Sequence, residues 1–226
     1  MVQEAARQPS RDLGAVLWDM DGTLVDTEPY WIEVEFALVA EFGGTWSMEH
    51  ALNLVGNDLL VSGEYIRVHG GVDLTAEEIV ERLLDGVIAR INVDVPWRPG
   101  GVELLGALRA AGIPCALVTM SYERFVAPIL AALPEGSFAE IVTGDQVKVG
   151  KPHPEPYLTA AARLGLETAS CIAIEDSNTG AKSAEAAGCT VLVVPHHVPV
   201  LEGDRRIFVE SLVGIGVADL HDLLLD

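Results

Sequence analysis

The sequence predicts an α/β fold in which a parallel sheet is interrupted by an all-helical insert. Two observations support this prediction. From about residue 100 onward, short apolar runs alternate with segments of helical periodicity, whereas residues 29–97 show helical periodicity and no convincing strand. Short apolar strands that are each followed by a helix form a parallel sheet with both faces covered. The length of 226 residues suits a core with a modest insert.

The predicted elements follow the chain in order. The first strand is 15–18, and the insert contains helices at 31–42, 48–55, 59–68 and 76–91. Thr75 and Glu78 form a capping box that opens the last of these helices. Further strands are predicted at 114–118, 139–142, 171–174 and 190–194, and further helices at 102–111, 122–132, 155–164 and 180–187. The closing segment, 207–225, is expected to add an edge strand and a terminal helix.

An insert placed after the first strand belongs at the carboxyl edge of the sheet, where a lid would sit. We therefore predict a catalytic core at residues 1–27 and 98–226, and a helical cap domain at residues 28–97.

The amino-acid composition limits the kinds of partner that this protein can bind. Lys and Arg number 14 against 34 Asp and Glu, so the formal net charge is −20. Such a surface repels nucleic acid and anionic membranes, and we expect neither as a partner. Three cysteines without a CxxC pair predict buried, reduced thiols. No signal peptide and no membrane-spanning run is recognisable, so we expect a soluble, cytoplasmic monomer.

An acidic pair follows the first predicted strand. Asp19 and Asp21 are separated by one residue, and Gly22 then allows the backbone to turn sharply. The carboxyl ends of strands are where open α/β sheets bind their ligands. One carboxylate of such a pair can act as a nucleophile and the other as a proton donor. For these two carboxylates alone, an acidic loop that caps a helix would be the commoner interpretation.

Two further segments carry polar side chains at predicted strand ends or in stiff loops. Thr119, Met120 and Ser121 follow a strand, where a hydroxyl and free backbone N–H groups can hold a phosphate oxygen. Ser121 could instead cap the next helix. Lys151 lies between Gly150 and a proline, so the loop would fix one positive charge beside a phosphate and a nucleophilic carboxylate. The alternative is a surface lysine in a turn.

A second acidic pair, Glu175 and Asp176, ends another predicted strand. Carboxylates are the hard oxygen ligands that suit Mg²⁺. Acidic residues at a helix N-terminus are the simpler alternative, because the helix dipole favours negative charge there.

Taken in order, these four segments resemble the motifs of the haloacid dehalogenase-like (HAD) hydrolases with a helical cap, a group that includes sugar-phosphate phosphatases and β-phosphoglucomutase. The strings that carry the resemblance are DMDGT at 19–23, TMS at 119–121, GKPHP at 150–154 and EDS at 175–177. The resemblance implies a Rossmann-like core with strand order 5-4-1-2-3. The sequence departs from the family pattern at Met120, where Asn or a small residue is frequent.

The resemblance also implies the site residues and the cofactor. Mg²⁺ would be held by the side chains of Asp19 and Asp176 and by the backbone carbonyl of Asp21. Glu175 would either ligate the metal or orient a metal-bound water. The implied activity is hydrolysis of a phosphate monoester, with Asp19 as the nucleophile that forms an aspartyl-phosphate and Asp21 as the acid and base. Lys151 would bear the growing charge.

Substrate binding is expected to involve both domains. Thr119, Ser121, the backbone at Met120 and the turn at Gly22 would hold the phosphate. In the cap, two residues are candidates for contacts with a small phosphorylated metabolite: Trp31 and Asn57. A sugar phosphate is our first expectation, whereas phosphoglycolate and nucleoside monophosphates remain alternatives.

Two other functions are considered. A β-phosphoglucomutase must bind a second phosphate beneath the lid, yet residues 12–66 contain no Lys or Arg. Basic residues near the cap are Arg67, Arg82 and Arg90, with Arg98 at the hinge. A non-catalytic phospho-accepting regulatory module would have neither the helical insert nor a second aspartate two residues after the first. We therefore favour the hydrolase.

Overall fold

The computed structural model describes residues 12–54 and 59–224, which fall into two compact units. The first comprises residues 12–24, 98–123 and 134–224, and the second comprises residues 25–54, 59–97 and 124–133. The second compact unit therefore contains residues 25–27 and 124–133 in addition to residues of the predicted cap. The domain boundaries at residues 28 and 97 stay a prediction.

The first unit contains a six-stranded parallel sheet. Its strands are β1 (Ala15–Trp18), β2 (Cys115–Val118), β3 (Glu140–Val142), β4 (Cys171–Glu175), β5 (Thr190–Val193) and β6 (Arg206–Phe208). They are ordered β3-β2-β1-β4-β5-β6. The predicted order of the first five strands, 5-4-1-2-3, is therefore confirmed, and β6 is the expected edge strand. Leu17 pairs with Ala116 on one side and Ala173 on the other, which places β1 at the centre.

Nine helices are found in the described residues. They are α1 (Glu28–Glu41), α2 (Met48–Leu52), α3 (Leu59–His69), α4 (Ala76–Ile91), α5 (Gly101–Ala110), α6 (Glu123–Ala131), α7 (Glu155–Arg163), α8 (Asn178–Ala187) and α9 (Val217–Leu223). The capping box of Thr75 and Glu78 is present at the start of α4. The helix predicted at 48–55 ends earlier, because the N–H of Leu54 bonds to the Ala51 carbonyl in a tighter turn.

The core of the first unit is apolar on both faces of the sheet. Every residue of β1, β2, β4 and β5 is buried. This explains why these strands read as continuous apolar runs without alternation. The three cysteines are buried and free. Burial raises the pKa of Cys115 to about 12 and that of Cys171 to about 11, so both thiols stay protonated and unreactive at neutral pH.

The second unit is helical, and two glycines allow its helices to pack closely. A Cβ at Gly86 of α4 would lie 2.6 Å from the side chain of Val34 in α1. A Cβ at Gly63 of α3 would lie 2.6 Å from the carbonyl oxygen of Ala76 in α4. Both positions therefore need glycine for the observed packing. Among the described residues, no helix combines the length and the apolar character required to cross a membrane.

Candidate active site

The predicted site residues of the first unit meet at one edge of the sheet. Asp19 follows β1, Thr119 follows β2, and Asp176 follows β4, of which Glu175 is the last residue. Strand β1 lies between β2 and β4 in a parallel sheet. The three carboxyl ends are therefore neighbours, as expected for a ligand site in an open α/β sheet.

Lys151 lies at the centre of this edge. Its Nζ donates hydrogen bonds to Asp19 Oδ1 at 2.6 Å, to Glu175 Oε1 at 2.7 Å and to the Val118 carbonyl at 2.8 Å. The lysine side chain is only 5% exposed. The alternative of a surface lysine in a turn is therefore wrong. Burial disfavours the ammonium, but the charges of Asp19 and Glu175 outweigh it and raise the Lys151 pKa above its usual range.

The loop that carries Lys151 is held by hydrogen bonds from its backbone N–H groups to two side chains, those of Met120 and Glu155. The backbone N–H of Lys151 donates to the thioether sulfur of Met120 at 3.2 Å. The Glu155 carboxylate accepts from the backbone N–H groups of Lys148 at 2.8 Å and Val149 at 3.2 Å. Met120, where the sequence departs from the family pattern, therefore links the loop after β2 to the lysine loop. Its part in substrate binding stays a prediction.

Asp19, Glu175 and Asp176 form a buried acidic cluster. Each offers one carboxylate oxygen, and these oxygens lie within 4.8 Å of one another. Burial and the charge of Glu175 raise the pKa of Asp19 to about 7, although Lys151 opposes the shift. Burial and the charges of Asp19 and Glu175 raise the pKa of Asp176 to about 9.

This cluster fits a divalent cation. Lys151 contributes one positive charge against three carboxylates, so the group carries two uncompensated negative charges when all are ionised. Burial is the main cause of the raised pKa values of Asp19 and Asp176, and the repulsion between the carboxylates adds to it. Buried carboxylate oxygens are the ligands that Mg²⁺ prefers. The donor set therefore suits the cofactor that the sequence predicts.

Asp21 and Gly22 are placed beside this cluster by the turn after β1. Ser121 Oγ donates a hydrogen bond of 2.7 Å to Asp21 Oδ2. Since α6 begins only at Glu123, the Ser121 hydroxyl serves the acidic turn and not a helix cap. Gly22 has a φ of 83°, and a Cβ there would overlap the Asp176 carboxylate. Only glycine allows this approach.

The remaining candidates are positioned less directly. Thr119 is 1% exposed, and its Oγ1 accepts a hydrogen bond of 3.0 Å from the Ser121 backbone N–H. Trp31 lies on α1 in the second unit, with its ring centroid 5.5 Å from that of Phe125. Asn57 lies outside the described residues. Substrate contacts by Thr119, Trp31 and Asn57 stay predictions.

Two residues that contact Glu175 were not assigned from the sequence. The hydroxyl of Tyr157 donates to Glu175 Oε1 at 2.5 Å. Ser177 Oγ donates to Oε2 at 3.2 Å and also accepts from the Gly180 N–H, which caps α8. The sequence signal that could have identified Tyr157 was its position: it is a lone tyrosine on the alanine-rich face of α7, six residues after Lys151.

Comparison with known proteins supports the family resemblance that the four sequence motifs indicate. Residues 16–194 match the family described as haloacid dehalogenase-like hydrolase. The chain is 30% identical to hexitol phosphatase B of Escherichia coli (strain K12), with 87% of this chain and 89% of that protein covered. It is 32% identical to phosphoglycolate phosphatase of the same strain, with 79% of each covered.

A solved structure is similar as well. The HAD family hydrolase of Deinococcus radiodurans R1, crystallised with bound phosphate and sodium, has a TM-score of 0.70 and 30% identity to this chain. The similarity covers 95% of this chain and 98% of that one. The expectation of an enzyme is therefore confirmed, and the chain belongs to the haloacid dehalogenase-like hydrolase family.

Proposed function

We propose that this chain is a Mg²⁺-dependent phosphomonoester hydrolase that acts on a small phosphorylated metabolite through an aspartyl-phosphate. One observation carries the proposal: Lys151 is held between Asp19 and Glu175 at the carboxyl edge of the sheet, beside Asp176. Two relatives bear the names of phosphatases. The similar structure from Deinococcus radiodurans contains bound phosphate.

The reaction would begin with attack of an Asp19 carboxylate oxygen on phosphorus. The bond between phosphorus and the leaving oxygen breaks, and Asp21 gives that oxygen its proton. Water then attacks the aspartyl-phosphate while Asp21 takes a proton from it, which releases phosphate and restores Asp19. The hydrogen bond from Ser121 keeps the Asp21 carboxylate in one orientation between these two steps.

Charge on the transferring phosphoryl group would be offset from two sides. Lys151, held in place by its three acceptors, supplies a fixed ammonium, and the Thr119 hydroxyl with neighbouring backbone amides would hold the equatorial oxygens. The Asp19 and Asp176 side chains and the Asp21 carbonyl would hold Mg²⁺. When bound, the metal supplies further positive charge against the same oxygens.

The charges of the second unit support a monophosphate substrate. Arg67 pairs with a Glu64 carboxylate at 2.7 Å, Arg82 with Glu41 at 2.5 Å, and Arg90 with Glu33 at 2.9 Å. Arg124 pairs with the carboxylates of Glu81 and Asp85. Residues 25–97 contain no lysine.

Each of these arginines therefore already has a carboxylate partner. A second phosphate on the substrate would have to compete with a carboxylate for its arginine. This argues against a β-phosphoglucomutase, which needs a basic residue for its second phosphate. It supports a neutral sugar or polyol as the part of the substrate that carries the single phosphate.

Two further features stay part of the proposal. We infer a cytoplasmic, monomeric protein whose partner is a small phosphate monoester and not nucleic acid. The buried, free thiols and the net charge of −20 support these inferences. Membership in a hydrolase family argues against the non-catalytic regulatory module.

Phosphate release from a panel of monoesters tests the proposal. The panel should include hexitol, hexose and nucleoside monophosphates together with phosphoglycolate, each with and without Mg²⁺. Asp19→Asn should lower the rate at least about 10³-fold, because an amide cannot replace the nucleophile. Asp73→Asn, at an exposed carboxylate of the second unit, is the matched control and should retain the rate.

Two outcomes would contradict the proposal. Turnover in Asp19→Asn close to that of the unmodified protein would exclude Asp19 as the nucleophile. Conversion of β-glucose 1-phosphate to glucose 6-phosphate faster than phosphate release from either would identify a mutase.

A further inference from the structure

Tyr157 is a buried polar residue that the proposed reaction does not use. It lies on α7 and is fully buried, as is Glu175. Its hydroxyl donates a hydrogen bond of 2.5 Å to Glu175 Oε1. Its ring centroid lies 5.0 Å from the Lys151 Nζ, so the aromatic face also contacts the ammonium.

The carboxylate of Glu175 is held at both oxygens. Oε1 accepts from Tyr157 and from Lys151, at 2.5 and 2.7 Å, and Oε2 accepts from Ser177 at 3.2 Å. Because a carboxylate oxygen has two lone pairs, the two donors occupy the acceptor sites of Oε1. A Cβ at Gly180 would overlap this carboxylate, so the group also packs directly against the backbone of α8. These contacts leave Glu175 one orientation, with Oε1 on Lys151.

We propose that Tyr157 is a positioning residue that fixes Glu175 and, through Glu175, the ammonium of Lys151. The inference rests on the proposed function, in which Lys151 must stay beside the nucleophile while charge grows on the phosphoryl group. Without the tyrosine hydroxyl, Oε1 keeps only one donor, and repulsion by Asp19 and Asp176, whose oxygens lie within 4.8 Å of it, can turn the carboxylate out of its observed orientation. Lys151 then loses a fixed partner.

Tyr157→Phe isolates the hydroxyl, since the ring and its contact with Lys151 remain. A hydrogen bond to a charged group is strong enough to predict a fall in kcat of about 10- to 100-fold. The KM should change less than about twofold, because Tyr157 acts through Glu175 and not on the bound substrate.

Thr168→Val is the matched control. It removes another hydroxyl, which donates to the Ala187 carbonyl at 2.6 Å, far along α8 from Ser177. We expect an unchanged kcat in this variant. If Thr168→Val lowers kcat as much as Tyr157→Phe at a similar loss of thermal stability, the effect is only structural and the proposal is wrong.

A double-mutant cycle with Glu175→Ala tests the path of the effect. If Tyr157 acts through Glu175, Tyr157→Phe should lower kcat less than about twofold when the carboxylate is already absent. If the fold-losses in kcat of the two single variants multiply in the double variant, the proposal is wrong. Should Glu175→Ala fail to fold, Glu175→Leu, which also offers no hydrogen-bond acceptor to Tyr157, replaces it, and the same loss of additivity is expected.

A measurement without substrate separates this proposal from the proposed function. In the ligand-free protein, ¹⁵N NMR of the Lys151 ammonium reports how firmly its protons are held. We expect those protons to exchange with water at least about tenfold faster in Tyr157→Phe than in the unmodified protein or Thr168→Val. Equal exchange in all three overturns the positioning role. A protein that passes this test but hydrolyses no monoester contradicts the proposed function alone.

Discussion

Glu35 should make the stability of this protein depend on pH. Its side chain lies on α1 and is 4% exposed, and Trp46 Nε1 donates a hydrogen bond of 3.2 Å to its Oε2. Burial raises the pKa of Glu35 from 4.5 to about 7, the hydrogen bond from Trp46 opposes this, and the charge of Glu28 adds to it. The folded protein therefore favours the neutral carboxylic acid.

The sign of the effect follows from the two pKa values. Below pH 4.5 the acid is protonated in the folded and in the unfolded chain, so Glu35 does not alter the free energy of unfolding. Between pH 4.5 and 7 the unfolded chain releases the proton first, and the free energy of unfolding falls as the pH rises. At about 1.4 kcal/mol for each tenfold change in proton affinity, the loss is complete above pH 7 and amounts to about 3 kcal/mol.

Glu35→Gln tests this reasoning because its side chain is neutral at every pH and keeps an oxygen for Trp46. Urea unfolding of both proteins should show the advantage of the variant growing by about 3 kcal/mol between pH 4.5 and pH 8. Glu33→Gln on the same helix is the control. The Glu33 side chain is 63% exposed, so its removal should shift stability about equally at each pH. Parallel pH profiles for Glu35→Gln and the unmodified protein would refute the argument.

Two further predictions concern the acidic edge. Gly180→Ala should lower both thermal stability, by about 1–3 kcal/mol, and kcat, because the added Cβ would overlap the Glu175 carboxylate. Gly106→Ala, where the same construction meets no atom within 4 Å, is its control in a thermal melt and a rate assay. Asp176→Ala should raise the Mg²⁺ concentration for half-maximal activity at least about tenfold, since it removes a charged oxygen ligand. An unchanged metal titration would place the ligand elsewhere.

Much of the fold could be predicted from local pattern. Strands β1, β2, β4 and β5 were recognisable because they are buried on both faces and therefore continuously apolar. The start of α4 was recognisable from its capping box, since that signal lies within four consecutive residues. The placing of residues 124–133 in the second unit was not recognisable, because it depends on contacts such as those of Arg124 with Glu81 and Asp85, about forty positions away.

By itself, the sequence determined which chemical groups lie at the carboxyl ends of the strands. Asp19, Thr119 and Glu175 each follow an apolar run directly, and parallel strands bring such ends to one edge. Only the tertiary structure decided how these groups are paired. Lys151 reaches Asp19 across 132 positions of the chain, and Tyr157 reaches Glu175 across 18. Such pairings depend on how α7 and its preceding loop pack on the sheet, and spacing along the chain does not encode that packing.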